Sequence, residues 1–468
     1  MSPRPQRQIR LAGGQASRLA AMLFPGDARE AVALALCGRH LSADAQILTV
    51  HDIVLVPPGA YVERHGDRVT WRTGFLPAVL ERADRESLSI LKVHSHPSGF
   101  AGFSRTDDRS DSALFESVFG WVDGVDIHGS LIALPDGSYI GRLALPDGTF
   151  RPVDRVVVAG ERIQVFDRQN GTPLEDVPAH AARHALALGE DTTRRLRQLR
   201  VGVVGCSGTG SIVAEELMRL GVGQLVAVDP ESVEDVNLNR IVSSTMADAQ
   251  HRTPKVEVIE RTARAMDLGT KVIPLKGDLS SRNTVMALAS CDVIFGCVDS
   301  HDGRRSLNRI ATYYVIPYID VGVLVQTEDG DITHISGAVH YLQPGASSLL
   351  SRGVINNAQA SAEALERDDP ELARGLRDEG YLRGAGPVAR PAVIAINGVF
   401  ASMAVFELLA RLHGFRSDDA ELAEQRLCLT DFYVSSAPEG APCEALRRHV
   451  GRGDVEPLLD MPELSEGV

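Results

Sequence analysis

The sequence predicts an α/β protein in which an α+β domain precedes a second domain with a mainly parallel sheet. The 468 residues exceed what one hydrophobic core usually organises. In the first part, strand-like runs at 47–56 and 88–93 precede a helix-like run and two Asp-Gly turns. From Leu199 onward, strand-like and helix-like runs alternate, which is typical of a parallel sheet covered by helices.

The first domain is expected over 20–165, after an N-terminal segment at 1–19. Apolar alternation at 28–38 leads into its strands, and the run ALFESVFGWV after Ser112 predicts a helix. The run SLIALPDGSYIGRLALPDG predicts hairpins, because its two Asp-Gly steps supply the positive φ angles of tight turns. The polar, proline-containing stretch at 166–180 predicts a linker.

The second domain is expected over 181–440. Its predicted strands are RVGVV, QLVAVD, KVIPLK, DVIFGC and IPYIDVG, with helices starting at Gly210 and after Lys255. Residues 344–388 break this rhythm and predict a partly helical surface excursion. The acidic, proline-containing residues 441–468 predict a mobile tail.

Composition restricts the partners and the compartment. The formal net charge of −14 argues against nucleic acid as a partner. Six scattered cysteines without C-x-x-C spacing, and a start without an apolar signal segment, predict a cytoplasmic protein. The apolar run Ala392–Ala410 is long enough to span a bilayer, but it contains Asn397 and Glu407. We therefore expect a buried helix in the core or at a dimer interface, and no membrane.

The first chemical signal is an H-x-H-P motif at 94–97, followed ten residues after His96 by Asp107. Alternate strand residues share a face, so His94 and His96 can converge on one ion, and Asp107 can fold back as a third ligand. Three protein ligands leave one tetrahedral position open for water, as in catalytic zinc sites. Glu30 is the candidate proton acceptor. The alternative is that the histidines serve only as hydrogen-bonding groups at a strand end.

This pattern, with Glu30 in EAVALALCG, then His94-Ser-His96-Pro, Ser104 and Asp107, resembles the JAB/MPN (JAMM) metalloprotease family over roughly 20–165. The resemblance implies that the two histidines and the aspartate hold zinc. It also implies that the glutamate is the general acid/base and that the serine stabilises the oxyanion. Members of this family hydrolyse isopeptide or peptide bonds after ubiquitin-like C termini.

The second chemical signal is Gly205-Cys-Ser-Gly208-Thr-Gly210, between a predicted strand and a predicted helix. Backbone N–H groups approach phosphates closely only where side chains are absent. Asp229 ends the next strand, where a carboxylate hydrogen-bonds ribose in nucleotide-binding sheets. An NAD-dependent dehydrogenase is the alternative. A triphosphate with Mg²⁺ better explains the polar and charged residues that follow: Asn237, Arg240, Lys255 and Asp299.

The motifs VGVVGCSGTGS, VDPESVEDVNLNR, TPK and CVDS resemble the Rossmann-like adenylation domain of E1 enzymes and the ThiF/MoeB family along roughly 180–435. Arg183 matches an arginine that reaches into the partner subunit's site, which implies a homodimer. Glu231 stands where the family would have a second aspartate. The resemblance assigns ribose to Asp229, magnesium to Asp299, and the ATP phosphates to Asn237, Arg240 and Lys255.

One segment departs from the E1-like pattern. In QPGASSLLSRG at 343–353, related proteins would carry cysteines, and this chain has Ser348 and Ser351. A serine hydroxyl is a far poorer nucleophile at neutral pH than a cysteine thiolate, so these serines are not expected to replace the thioester-forming cysteine. Among the remaining cysteines, Cys443 near the tail is the one expected to be exposed.

Together these signals predict a bifunctional enzyme of a bacterial ubiquitin-like pathway. Its zinc-dependent (iso)peptidase would process or remove a ubiquitin-like protein or peptide carrier, and its second domain would adenylate that carrier's C terminus with ATP and Mg²⁺. An E2-like protein is a further expected partner. Two alternatives stay open. One is adenylation for sulfur transfer or peptide modification without an enzyme thioester, and the other is a carrier-docking module without catalysis.

Overall fold

The computed structural model describes residues 4–168, 177–378, 391–418 and 420–465. These residues form two compact units. The first unit combines the N-terminal residues up to 168 with 312–315 and the C-terminal residues from 448. The second unit contains the described residues between 177 and 447, apart from 312–315.

The first unit is a mixed α/β structure built on one large sheet. Its helices are α1 (Gly13–Leu23), α2 (Leu76–Arg85) and α3 (Arg105–Phe119). Its strands are β1 (Gln6–Ala12), β2 (Val32–Leu41), β3 (Ala45–Leu55), β4 (Tyr61–Arg64), β5 (Val69–Trp71), β6 (Ser89–Ser95), β7 (His128–Ala133), β8 (Tyr139–Ala144), β9 (Phe150–Pro152), β10 (Arg155–Ala159) and β11 (Ile163–Asp167). The large sheet has the order β11-β10-β1-β3-β2-β6-β7-β8-β9, and β4 pairs with β5 in a separate hairpin.

Apolar side chains cover both faces of the large sheet. Leu19 and Leu23 of α1 join one core cluster, and Leu80 of α2 joins Leu114 and Phe115 of α3 in another. Strands β2 and β6 pair antiparallel. This pairing brings the start of β2 beside the end of β6, where the histidine motif lies.

The helix that the sequence predicts after Ser112 begins earlier, at Arg105. The reason is a capping box: the Ser104 hydroxyl accepts a hydrogen bond from the Asp107 N–H, and the Asp107 carboxylate accepts one from the Ser104 N–H. The apolar run marks only the later turns of α3. The predicted hairpins are present as the antiparallel pairs β7–β8 and β8–β9.

The second unit contains the predicted alternation of strands and helices. Its helices are α4 (Ala182–Leu188), α5 (Glu190–Gln198), α6 (Gly208–Leu220), α7 (Met246–Gln250), α8 (Lys255–Met266), α9 (Arg282–Ala289), α10 (His301–Tyr313), α11 (Asn357–Asp368), α12 (Pro370–Asp378) and α13 (Ile394–His413). Its strands are β12 (Arg200–Val204), β13 (Gln224–Val228), β14 (Lys271–Leu275), β15 (Val293–Gly296), β16 (Tyr318–Glu328), β17 (Asp331–Leu342), β18 (Leu422–Cys428) and β19 (Tyr433–Pro438).

These eight strands form one sheet of order β14-β13-β12-β15-β16-β17-β18-β19. The pairs from β14 to β16 are parallel, and those from β16 to β19 are antiparallel. The order reverses at β12, whose neighbours are β13 on one side and β15 on the other. A ligand crevice is expected at the carboxyl end of β12, because such crevices form where the strand order reverses.

Helix α13 is long and apolar enough to cross a membrane by length and composition. In the second unit it packs against α6, β16 and β17. It also buries Asn397, Glu407 and Arg411, and the Arg411 Nε donates to the Glu407 carboxylate over 2.6 Å. This packing agrees with the predicted buried helix.

The C-terminal segment differs from the mobile tail expected at 441–468. Its described residues are folded, and those from 448 onward belong to the first unit. Leu458, Leu459 and Leu464 are buried, and the Gly451 carbonyl accepts a hydrogen bond from the Gly38 N–H of β2 over 2.9 Å. The acidic composition concealed these buried leucines. Parts of the expected linker (169–176) and of the surface excursion (379–388) lie outside the described residues.

Candidate functional site

The first candidate site combines His94 in β6, His96 just beyond it and Asp107 in the first turn of α3. The two histidine Nε2 atoms lie 3.1 Å apart. The distance from His94 Nε2 to Asp107 Oδ1 is 3.1 Å, and that from His96 Nε2 to Asp107 Oδ2 is 3.7 Å. One ligand atom from each residue lies within 4.8 Å of the others. The structure thus brings the three predicted ligands together.

This donor set suits zinc. Bonds of about 2.0–2.1 Å in a tetrahedron give ligand-to-ligand edges of about 3.3 Å, close to the measured separations. His96 Nδ1 lies 2.8 Å from the Phe100 carbonyl oxygen and can donate to it, which leaves the Nε2 lone pair for a metal. The Nδ1 of His94 is buried without a hydrogen-bond partner among the described residues.

Glu30 lies beside this cluster, with its Oε1 atom 3.9 Å from His96 Nε2. Burial raises the pKa of the Glu30 carboxyl to about 7, and His96 opposes part of that rise. The β4–β5 hairpin holds the backbone of Glu30 in place. The His65 carbonyl accepts from the Glu30 N–H over 2.7 Å, and the Arg64 Nε donates to the Glu30 carbonyl over 2.9 Å. A carboxyl group with a pKa near 7 can both accept and return a proton.

The ligands perturb one another. Burial lowers the pKa of His94, although its hydrogen bond to Asp107 acts in the opposite direction. Burial alone would raise the pKa of Asp107, but the hydrogen bonds from His94 and Ser104 and the neighbouring His96 imidazole bring it well below its usual range. Asp107 is therefore ionised. The Ser104 oxygen accepts the Asp107 N–H, which leaves its own proton free to be donated.

The second candidate site is the glycine loop, residues 205–210, which follows β12 and includes the first residues of α6. Gly205 has φ +87°, and a Cβ there would lie 2.6 Å from the Cys297 carbonyl oxygen. A Cβ at Gly210 would lie 1.7 Å from the Gly205 carbonyl oxygen. A Cβ at Gly208 would lie 2.1 Å from the Asn397 amide nitrogen. Gly205 and Gly210 exclude side chains because a Cβ there would meet backbone, whereas at Gly208 the Asn397 side chain would have to move. The loop occupies the expected crevice at the end of β12.

Asp229 follows β13, next to this loop. Its carboxylate accepts hydrogen bonds from the Cys206 N–H over 2.7 Å and from the Glu231 N–H over 2.9 Å. Burial raises the pKa of Asp229, although the positive charge of Lys255 opposes the rise. Lys255 begins α8 with its side chain buried, and its ammonium donates to the exposed Glu231 carboxylate.

The side chains of two other predicted ATP-binding residues, Asn237 and Arg240, bond to backbone groups of their own segment. The Asn237 amide oxygen accepts from the Glu234 N–H over 3.1 Å and so caps its own turn. The stem of Arg240 lies against Gly208, while its Nη1 donates to the Val236 carbonyl over 2.7 Å. Asp299 lies exposed just beyond β15. Arg183 is exposed on α4.

Asn397 is a residue whose position sequence reasoning missed. In the sequence it indicates only that the apolar run does not span a membrane, yet its amide nitrogen would lie 2.1 Å from a Cβ at Gly208. Its signal in the sequence was a polar amide inside an apolar helix. Asn397 lies in α13, far along the chain from the loop, so the motif alone could not connect them.

Ser348 and Ser351 cap one turn. The Ser351 oxygen accepts from the Ser348 N–H over 2.9 Å, and the Ser348 oxygen accepts from the Ser351 N–H over 3.2 Å. The expectation that Cys443 is exposed is wrong: its side chain is buried. Cys428 is partly exposed, and its Sγ lies 3.4 Å from the Asp431 carboxylate.

Two family models match the chain. The ThiF family model matches residues 181–439, and the model of prokaryotic homologs of the JAB domain matches residues 15–133. Curated relatives include the sulfur carrier protein ThiS adenylyltransferase of Bacillus subtilis, 27% identical over 42% of this chain and 60% of that protein. The SAMP-activating enzyme E1 of Haloferax volcanii is 31% identical over 30% of this chain and 51% of that protein.

A ubiquitin-like modifier-activating enzyme 5 from Oryza sativa is 27% identical over 34% of this chain. The matched part spans 39% of that enzyme, so the chain covers less than two thirds of the length of these relatives. A solved structure of E. coli MccB with ATP is 15% identical, with a TM-score of 0.43, and covers 57% of this chain and 74% of that one. The chain belongs to the ThiF family and carries a prokaryotic JAB domain ahead of its ThiF domain.

Proposed function

We propose that the second unit is an ATP-dependent adenylyltransferase that activates the C-terminal carboxylate of a ubiquitin-like protein or peptide carrier. The observation that carries this proposal is the glycine loop at the strand-order reversal. Gly205 and Gly210 permit a tight turn from β12 into α6 that no side chain could occupy, and Asp229 and Lys255 lie next to it. The ThiF family match over the same residues supports it.

In the proposed reaction the carrier carboxylate attacks the α-phosphorus of ATP, pyrophosphate leaves, and an acyl-adenylate forms. Backbone N–H groups of the loop and the start of α6 face the phosphates. Lys255 exchanges its bond to Glu231 for a phosphate oxygen, and Arg240 adds a second positive charge. Asp229 binds ribose, and Asp299 would hold Mg²⁺. Neutralising charge that develops on the phosphates is the largest contribution such a site can make.

The first unit is proposed to be a zinc-dependent peptidase for the same class of carrier. His94, His96 and Asp107 would hold the ion, which supplies Lewis acidity and lowers the pKa of water. Glu30 takes a proton from the attacking water and returns it to the leaving amine. Ser104 donates its hydroxyl proton to the developing oxyanion. The JAB domain match over 15–133 supports this assignment.

The proposed enzyme is a cytoplasmic homodimer in which Arg183 completes the neighbouring subunit's ATP site. An E2-like protein would accept the activated carrier in a conjugation pathway. The test is pyrophosphate exchange with a ubiquitin-like protein that ends in Gly-Gly. Arg183→Ala and Asp299→Ala should each depress exchange, and mixing the two variants should restore part of it. Mixed variants without recovery would contradict a shared site.

The second candidate function is adenylation without an enzyme thioester, for sulfur transfer or peptide modification. Two observations favour it: Ser348 and Ser351 are tied into a turn, and Cys443 is buried. A carrier adduct that thiols cleave would favour conjugation, whereas exchange without such an adduct favours this candidate. Carrier binding without any exchange would indicate a docking module.

A further inference from the structure

Three charged side chains are buried together in the first unit, behind the proposed zinc site. Lys92 in β6, Asp111 in α3 and Arg142 in β8 have side chains that are 4%, 0% and 8% exposed. Lys92 Nζ donates to Asp111 Oδ1 over 2.6 Å, and Arg142 Nη2 donates to Asp111 Oδ2 over 2.7 Å. We call these three residues the ion cluster.

The sheet brings the two cations to the same face. Lys92 pairs with Ser130 of β7, and Ser130 pairs with Arg142 of β8, so the three residues form a row across the sheet. Asp111 of α3 lies over this row and bonds both cations. The second cation is balanced by Asp108, whose Oδ1 accepts from Arg142 Nη1 over 2.5 Å and whose side chain is 55% exposed.

The ion cluster lies next to the proposed metal ligands in both β6 and α3. Lys92 and His94 are alternate residues of β6 and share a face. Asp107 and Asp111 are four residues apart in α3 and also share a face. Two neighbouring contacts therefore join β6 to α3. One is between His94 and Asp107, and the other is between Lys92 and Asp111.

Arg142 reaches the same site by a second route. Its guanidinium carbon lies 3.8 Å from the ring centre of Phe103, which immediately precedes Ser104. The Phe103 ring centre is 6.3 Å from that of His94. On its other side the guanidinium lies 4.0 Å from the ring centre of Phe150. Arg142 thus supports the loop that leads into α3.

Stability alone is a weak explanation for this arrangement. The free energy lost by removing two charges from water is about as large as the free energy gained from their attraction in the interior. Apolar residues of similar volume therefore often stabilise a core as well or better. A buried pair can instead select one geometry, because the charges must meet their partners. In this unit, the buried ion pairs would fix the distance between the start of α3 and the end of β6.

We propose that Lys92, Asp111 and Arg142 are positioning residues that set Asp107 at the correct distance from His94 and His96 for zinc. This inference rests on the proposed zinc site and names the residues that determine its affinity. Supporting residues of metal sites typically change metal affinity about 10- to 100-fold when replaced. The ion cluster should act in that range without touching the ion.

The test is zinc affinity of the full chain, measured by competition with a chromogenic chelator. The variant Lys92→Met/Asp111→Leu/Arg142→Met replaces all three charges with apolar groups, so no buried charge is left unpaired within the cluster. It should unfold near the wild-type temperature, yet bind zinc about 10-fold or more weakly. If the triple variant fails to fold, Asp111→Asn is the second test. It keeps the shape of the side chain but removes the carboxylate that Lys92 and Arg142 share, so it should weaken zinc binding and also lower the unfolding temperature.

Leu114→Ala is the matched control, because Leu114 anchors the same helix through apolar contacts. It should lower the unfolding temperature and leave the zinc dissociation constant within about twofold of wild type. Zinc affinity unchanged in both the triple variant and Asp111→Asn, or weakened equally by Leu114→Ala, would overturn the inference. Wild-type protein that binds no zinc would instead overturn the proposed metal site, and this inference with it.

Discussion

The two candidate sites are made of different parts of the chain. In the first unit, side-chain atoms of His94, His96 and Asp107 converge within 4.8 Å. In the second unit, the centre of the site is backbone, because a Cβ at Gly205 or Gly210 would lie 2.6 Å or 1.7 Å from a backbone oxygen. The first site depends on side-chain atoms that supply ligands, and the second depends on the absence of side chains at these two positions of the glycine loop.

This difference determines how each site responds to substitution. Removing a ligand or its support should weaken the metal site, because each ligand atom is supplied once. Adding a single methyl group should damage the nucleotide loop, because its space is already filled by backbone. Substitutions of opposite kinds thus test whether the comparison holds.

The largest expected effect is that of Gly210→Ala. The new Cβ would lie 1.7 Å from the Gly205 carbonyl oxygen, so the loop must move to accommodate it. We expect saturable ATP binding to be lost in a calorimetric titration with MgATP. Gly398→Ala is the control, because its Cβ would meet only the Ile212 side chain at 4.0 Å. Wild-type ATP affinity in Gly210→Ala would show that the nucleotide loop tolerates a side chain at this position.

The next largest effect is that of Glu30→Gln on the metal site. The amide keeps the size of the side chain but cannot take a proton, and general-base contributions are about 10²-fold or more. Cleavage of a reporter peptide fused after the Gly-Gly end of a ubiquitin-like protein should fall by about that factor. Zinc content should stay unchanged, since Glu30 is not a proposed ligand. Wild-type turnover would mean that another group is the base.

A smaller effect is expected from Lys255→Ala. A hydrogen bond between charged groups contributes about 1.5–3 kcal/mol, so ATP should bind about 10-fold more weakly or worse. The control is Lys271→Ala, because Lys271 is exposed at the start of β14. If both variants bind ATP alike, Lys255 serves only its contact with Glu231.

The sequence predicted the parts of each site that are local in the chain. The H-x-H-P motif and the strand before it fix the spacing of His94 and His96, and the glycine pattern predicts the turn from β12 into α6. The alternation of strands and helices predicted the mainly parallel sheet. Local patterns suffice here because each describes consecutive residues of one strand or turn.

Contacts between distant segments could not be predicted in this way. Asn397 meets Gly208 because α13 packs on α6, and Arg142 meets Asp111 because β8 lies two strands from β6. The buried leucines at 458–464 were hidden by acidic neighbours. Such contacts depend on the order of strands in the sheet, which a single sequence does not state.

The smallest expected effect is that of Cys428→Ala. Cys428 is partly exposed, but nothing in the proposed adenylation requires a thiol. We expect carrier-dependent pyrophosphate exchange at the wild-type rate, because exchange reports formation of the acyl-adenylate and not of any later adduct. An adduct on the wild-type chain that disappears in Cys428→Ala would show that a thioester forms on this residue.

The most direct test of two separate sites measures zinc content and MgATP binding on the same three preparations. Wild type should contain about one zinc ion per chain and bind ATP. His94→Ala/His96→Ala should lose zinc and keep the ATP dissociation constant within about twofold, whereas Gly210→Ala should lose ATP binding and keep zinc. Full zinc occupancy in the double histidine variant, or stabilisation of wild type by NAD and not by MgATP, would contradict the account.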